Sequence, residues 1–229
     1  LYVKAKDVFA WDGKMLKRIL HVALPNGVEN GLFQISKVAL SSIVALFGTS
    51  QIAANGVAQS FWSVASLFCI ALGYAFVTVI GQCMGNRDVE AADYYQKKLL
   101  KITYLGGFVW NILILAATPL VLGLYSLSDE TVRYVLILVA MHNATNILLA
   151  PPAFSLANGL RAAGDIRYTM FADVFATVIC RVFFSMLFGV WMGMGVIGVC
   201  LAMVMDWLIK TSLIAGRYKS MKWTKFKVI

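Results

Sequence analysis

The sequence predicts an all-α, polytopic membrane fold with six transmembrane helices, and three observations predict it. Of 229 residues, 60% are hydrophobic and only 14% charged, with a mean hydropathy of +0.78; an average soluble domain is about 25% charged. Six apolar stretches, parted by short polar turns, are each long enough to cross a bilayer, for which about 20 residues suffice. The loop charges are one-sided. Sixteen of the 20 Lys and Arg fall at one set of span ends and Arg133 alone at the other, while Lys37, Arg181 and Lys210 lie within spans. Under the positive-inside rule this places both chain ends on the cytoplasmic side, in a cell (plasma) membrane. The net charge of +9 does not point to nucleic acid, because the basic residues are spread among apolar spans rather than gathered on a soluble module.

Residues 1–22 interleave Lys and Arg with Phe9, Trp11, Leu16, Ile19 and Leu20, the pattern of a cytoplasmic amphipathic helix at the membrane interface. Leu1 is not Met and no signal peptide precedes Pro25, so the chain reads as an excerpt of a longer polypeptide. The membrane lobe spans 23–215. Its first span is 23–48, and after the turn GTSQIA comes the second, 54–83. NRDVEAADYYQKK reads as a surface helix before the third span, 99–126, which Pro119 bends. In the turn SDETVR, Ser128 is placed to cap the fourth span, 131–158, which Pro151-Pro152 breaks. The turn NGLRAAGDIR leads to the fifth span, 167–191, and the sixth, 195–215; residues 216–229 form a basic tail. Cys69, Cys83, Cys180 and Cys200 lie in or beside apolar spans without CxxC spacing, as packing thiols.

The first span carries groups that lipid rejects. Glu29, Asn30, Gln34 and Lys37 fall at offsets that keep them on one broad helix face, opposite Leu32, Ile35, Leu40 and Ile43. An ionisable side chain near the bilayer centre costs at least about 2.5 kcal/mol, so that face looks into a protein interior or a water-filled cavity. Asn143, Asn146, Asp173 and Arg181 are further candidates to line it, and Arg181 requires an acid as partner. Asp206 and Lys210, four residues apart on one helix, read as a structural ion pair. His142 reads as a packed histidine; Trp11, Trp207 and Trp223 read as interfacial anchors; Phe33, Phe61, Trp62, Phe171 and Phe175 are candidate apolar walls. No HExxH, GxSxG or phosphate-binding Gly loop occurs, so no catalytic residue, metal site or resident cofactor is expected, and no enzyme activity.

Three segments carry a family resemblance. LPNGVENGLFQISK, GQCMGNRDVEAA and NGLRAAGDIRYT, in that order, resemble segments of the multidrug and toxic compound extrusion (MATE) transporters, and the likeness covers nearly the whole chain. It implies a twelve-helix fold of two lobes, with this chain as the second lobe and the N-terminal lobe of the same polypeptide missing. The loop motif then includes Arg161, Gly164 and Asp165. The resemblance also implies a secondary antiporter that exports cationic, amphipathic small molecules against H⁺ or Na⁺ by alternating access, with Glu29 as the coupling acid. One departure is plain. Where some members carry that Glu a turn later, this chain has Phe33, and in place of an Asp on the tenth helix it has Ala150, Pro151 and Pro152. The Na⁺ site of that branch is therefore not carried over; H⁺ and Na⁺ both stay open as coupling ions, with protons through Glu29 preferred. The alternatives are a flippase for a lipid-linked sugar or peptidoglycan precursor, and a non-transporting interaction module in the bilayer.

Overall fold

The computed structural model describes residues 13–226, and within the first helix it leaves out the side chains of residues 18, 19, 21–23, 25 and 26. The described residues form six long helices and no strand: α1 Gly13–Ala45, α2 Thr49–Gly85, α3 Val89–Leu122, α4 Asp129–Ala162, α5 Ile166–Trp191 and α6 Gly195–Lys219. Five of them, α2 to α6, are long and apolar enough to cross a membrane. Helix α1 falls short of that apolarity because Asn26, Glu29, Asn30, Gln34 and Lys37 interrupt it. It packs against the same bundle nonetheless, chiefly on α5.

Several boundaries differ from those the sequence predicts. From Gly13 the amphipathic lead runs unbroken into the first span, and residues 1–12 lie outside the described range. NRDVEAADYYQKK is not a separate surface helix. Only residues 86–88 turn, and α3 starts at Val89, where the Asp88 carboxylate accepts the Ala91 N–H at 2.9 Å. Pro151-Pro152 does not break α4. The helix widens into a π turn over Pro151–Ser155, which absorbs the missing proline N–H groups, and then continues to Ala162. Two further π stretches, Phe175–Cys180 and Ser185–Trp191, lie in α5. Ser128 caps α4 as predicted, its hydroxyl accepting the Thr131 N–H at 3.3 Å. The basic tail folds back as a 3₁₀ turn, Lys222–Lys225, so that Trp223 is fully buried against Tyr218 rather than anchored at an interface.

Helix α2 is the spine: α3 and α4 pack along most of its length, and α6 packs against α4 and α5. Near the basic end, Ile80, Met84, Ala92, Leu160 and Ile214 form one buried cluster; at the opposite end, Val44, Ala58, Val135, Leu138 and Val196 belong to another. Among the described residues helix α1 makes far sparser contacts, chiefly with α5. Between α5 and α6 the approach is closest at Gly198. A Cβ there would lie 2.6 Å from backbone atoms of Phe188 and Gly189, which leaves room only for glycine.

Gly198→Ala should therefore destabilise the bundle by about 1–3 kcal/mol through overpacking against backbone. The control is Gly216→Ala, a position of the same helix with open space around it, which should be neutral or slightly stabilising. Thermal unfolding in detergent reads both; equal melting temperatures for the two variants would contradict the close crossing.

Candidate functional site

The interior of the bundle holds two cavities that meet at a waist. The larger, about 620 Å³, lies toward the basic end, and its walls include Glu29, Asn30, Gln34, Lys37, Arg161, Asp173, Arg181 and Lys210. The smaller, about 360 Å³, lies toward the opposite end against Asn55, Gln59 and His142. Lys37, Leu40, Trp62 and Arg181 belong to both.

Helix geometry decides how the charges meet. At the end of α4 the chain turns at Gly164, whose φ of +96° suits glycine, with Asp165 N–H returning to the Leu160 carbonyl at 3.0 Å. Because the helix persists to Ala162, Arg161 is still helical and projects into the larger cavity instead of lying in a loop. One of its terminal amino groups donates to Glu29 on α1 at 2.5 Å and also to Asp173 on α5. Its Nε donates to Thr169 Oγ1 at 3.3 Å. The other Asp173 oxygen meets Lys210 of α6 at 2.6 Å, and the Lys210 ammonium sits 3.9 Å over the Phe154 ring. Four helices are thus tied by one chain of charges, Glu29–Arg161–Asp173–Lys210.

A second pair lies deeper. Arg181 Nε meets Asp206 Oδ2 at 2.9 Å, and Asp206 is fully buried. This corrects the predicted Asp206–Lys210 pair. Although four residues apart on α6, the two side chains take partners on α5, where Arg181 and Asp173 lie about two turns apart and face them in register. Burial explains the choice, since each interior carboxylate needs a cation of its own. Below the cavity, Asp165 grips Arg217 through both carboxylate oxygens, at 2.6 and 3.1 Å, and closes the α4–α5 turn onto α6.

Other expected site residues are placed differently. Asn143 and Asn146 are buried in the packing rather than lining either cavity: Asn146 donates to the Ala65 carbonyl and to Asn111 Oδ1, both at 3.0 Å, and Asn143 donates to the Val139 carbonyl at 2.8 Å. Phe171 and Phe175 stack on each other at the exposed surface. The aromatic walls are instead Phe33, Trp62, Phe154 and Trp207. Trp207, read as an interfacial anchor, is buried edge-on against Phe154. On α1, Ile35 and Val38 are exposed, whereas Leu40 faces the cavities and Ile43 is buried. Sequence reasoning missed the interior role of Arg161. Its signal was Gly164 three residues on, which marks a helix end at 162 or 163 and so keeps Arg161 on the helix.

A family model described as MatE matches residues 25–187. The chain belongs to the MatE family. Among curated relatives it is 24% identical over 233 residues to YisQ of Bacillus subtilis (strain 168), an uncharacterized transporter, covering 97% of this chain and 49% of that protein. To YoeA of the same organism, a probable multidrug resistance protein, it is 24% identical over 165 residues, covering 72% of this chain and 35% of YoeA. In fold it is similar to an outward-facing multidrug resistance MATE transporter of the MOP superfamily, with a TM-score of 0.82 at 20% identity, over 98% of this chain and 50% of that one. The chain therefore spans about half the length of YisQ and of that MATE structure. It is an integral membrane protein with the fold of a MATE transporter, and family and fold point to transport rather than catalysis.

Asp206→Asn should expose the worth of the deep pair. It leaves the Arg181 guanidinium without its carboxylate and should cost about 3 kcal/mol, the low end for a broken buried pair because Arg181 keeps a cavity-facing edge. Adding Arg181→Gln should recover much of that loss. Unfolding measurements on native protein, single and double variants check it, and strictly additive losses would refute the pairing.

Proposed function

We propose that this chain is one lobe of a secondary active antiporter that exports amphipathic organic compounds by alternating access, driven by an H⁺ or Na⁺ gradient. The observation that carries the reading is the ionic chain at the larger cavity. Among the described residues helix α1 contacts the rest of the bundle more sparsely than the other long helices do, and Glu29 on it is bound to Arg161. With that bridge made or broken, the polar half of α1 has two arrangements, bridged and released.

Protons are the preferred coupling ion. A proton on Glu29 neutralises one of the two carboxylates that hold Arg161, which frees α1 and passes the guanidinium to Asp173 alone. Loss of the proton to the other side of the membrane restores the bridge. Because Arg161 occupies the Glu29 carboxylate, a cationic substrate that competes for that acid has first to displace a guanidinium seated at 2.5 Å. The cavity volume of about 620 Å³ lies within the roughly 300–1,000 Å³ usual for drug-sized ligands. The positive-inside bias supports a cell-membrane location with both ends of the chain cytoplasmic, and the second lobe of the pathway would be contributed by the rest of a longer polypeptide.

The test is dye efflux from vesicles carrying the native protein, under imposed H⁺ and Na⁺ gradients separately, against Glu29→Gln. Efflux should follow the H⁺ gradient, and Glu29→Gln should abolish the gradient dependence. Gradient-driven efflux that survives Glu29→Gln unchanged would remove Glu29 from coupling.

A further inference from the structure

The site carries one more positive charge than negative. Glu29 and Asp173 are bound to Arg161, Asp173 also to Lys210, and Asp206 to Arg181. Lys37 alone of the cations around the two cavities has no partner among the described residues. It lies on α1 about 12 Å further along the helix than Glu29, at 1.5 Å per residue, and its exposed side chain faces the waist that both cavities share.

The waist is also rich in unmet donors. Arg181, which lines both cavities, engages Asp206 through Nε, and its terminal amino groups have no partner among the described residues. Trp62 Nε1, in the same wall, is buried with no hydrogen-bond partner. An N–H left unpaired in a buried wall costs about 1–3 kcal/mol, and an unpaired ammonium inside the membrane costs more. A ligand that brings an oxyanion to this point can meet Lys37 and Arg181, which line both cavities. Gln34 and Gln59, in the neighbouring walls, can turn an amide N–H toward the same oxygens.

We infer that the waist between the two cavities is a binding site for the anionic group of an amphipathic substrate, a carboxylate, sulfonate or phosphate ester, held by Lys37 and the free edge of Arg181. Phe33, Phe154 and Trp207, in the larger cavity, take the apolar body. The sign is opposite to the cationic substrate that the family resemblance implies. It follows from charge pairing: the carboxylates that could receive a cation are occupied, and the side chain left over is a lysine. The inference rests on the export reading for its transport consequence, while the binding site stands by itself.

Fluorescein and rhodamine 123, xanthene dyes of similar size and opposite charge, separate the two possibilities. Binding is read by fluorescence polarisation with purified native protein, and movement by gradient-driven uptake in proteoliposomes. Native protein should bind fluorescein in preference to rhodamine 123. Lys37→Gln should weaken fluorescein about ten-fold or more, as expected for a lost charge-assisted hydrogen bond, without weakening rhodamine 123, and Lys37→Arg should restore most of the affinity. An exposed side chain makes Lys37→Gln a substitution that folds, and its melting temperature checks this. Fluorescein binding without gradient-driven movement supports the anion site and defeats only the antiporter reading. Faster flipping of a fluorescent phosphatidate than of the matching phosphatidylcholine supports the site with a lipid phosphate as its ligand. Native protein that binds rhodamine 123 but not fluorescein overturns the inference. So does a Lys37→Gln variant with unchanged fluorescein affinity, which would mean that an acid elsewhere already matches Lys37.

Discussion

A guanidinium shared between two carboxylates governs this structure. Inside a membrane bundle, a charge without a partner is costly, so the positions of Glu29, Arg161 and Asp173 constrain one another and the helices that bear them. Helices α4 and α5 are also joined through the short turn at Gly164, and α5 and α6 through the close crossing at Gly198. Helix α1 has no such close crossing with the bundle. Ile43 and Val44 bury its apolar end, and Glu29 is the point where its polar face is fastened. Under the proposed proton coupling the same group would hold the helix and take up the proton, which is how a local charge change can move a whole element.

Depth along the bundle separates the charges by task. Near the basic end, Asp165 and Arg217 close the α4–α5 turn onto α6. Next comes the four-residue ionic chain of the larger cavity, and beyond it the buried Asp206 with Arg181. Only at the waist does the pairing run out, at Lys37. Trp62, Phe154 and Trp207 surround these groups with apolar surface, so a bound molecule meets both a low-dielectric wall and a localised charge. That combination suits the proposed amphipathic substrate better than a simple ion.

Much of the fold was legible in the sequence. Hydropathy and the one-sided basic loops gave the membrane class, and the polar face of the first span marked the residues that now line the larger cavity. Helix continuity was less legible. Polar segments such as NRDVEAADYYQKK look like connectors, yet they extend the spanning helices beyond the bilayer, because helical hydrogen bonds do not require an apolar surface. The double proline likewise reads as a break, whereas a π turn accommodates it. Pairing was the least legible feature. Spacing along one helix favoured Asp206 with Lys210, but partners on a neighbouring helix were closer, and those depend on rotation and register that periodicity does not encode. Asn143 and Asn146 were misplaced for the same reason: polarity within a span does not distinguish a cavity from a helix–helix contact.

The most direct measurement is a double-mutant cycle between Glu29 and Arg161. Unfolding free energies of the native protein, Glu29→Gln, Arg161→Gln and the double variant in detergent give the coupling between α1 and α4. The account predicts a favourable coupling of about 2 kcal/mol, within the usual range for residues in one ion-pair network. Losses that simply add, leaving a coupling near zero, would show that α1 is not fastened by this bridge and would contradict the account at its centre.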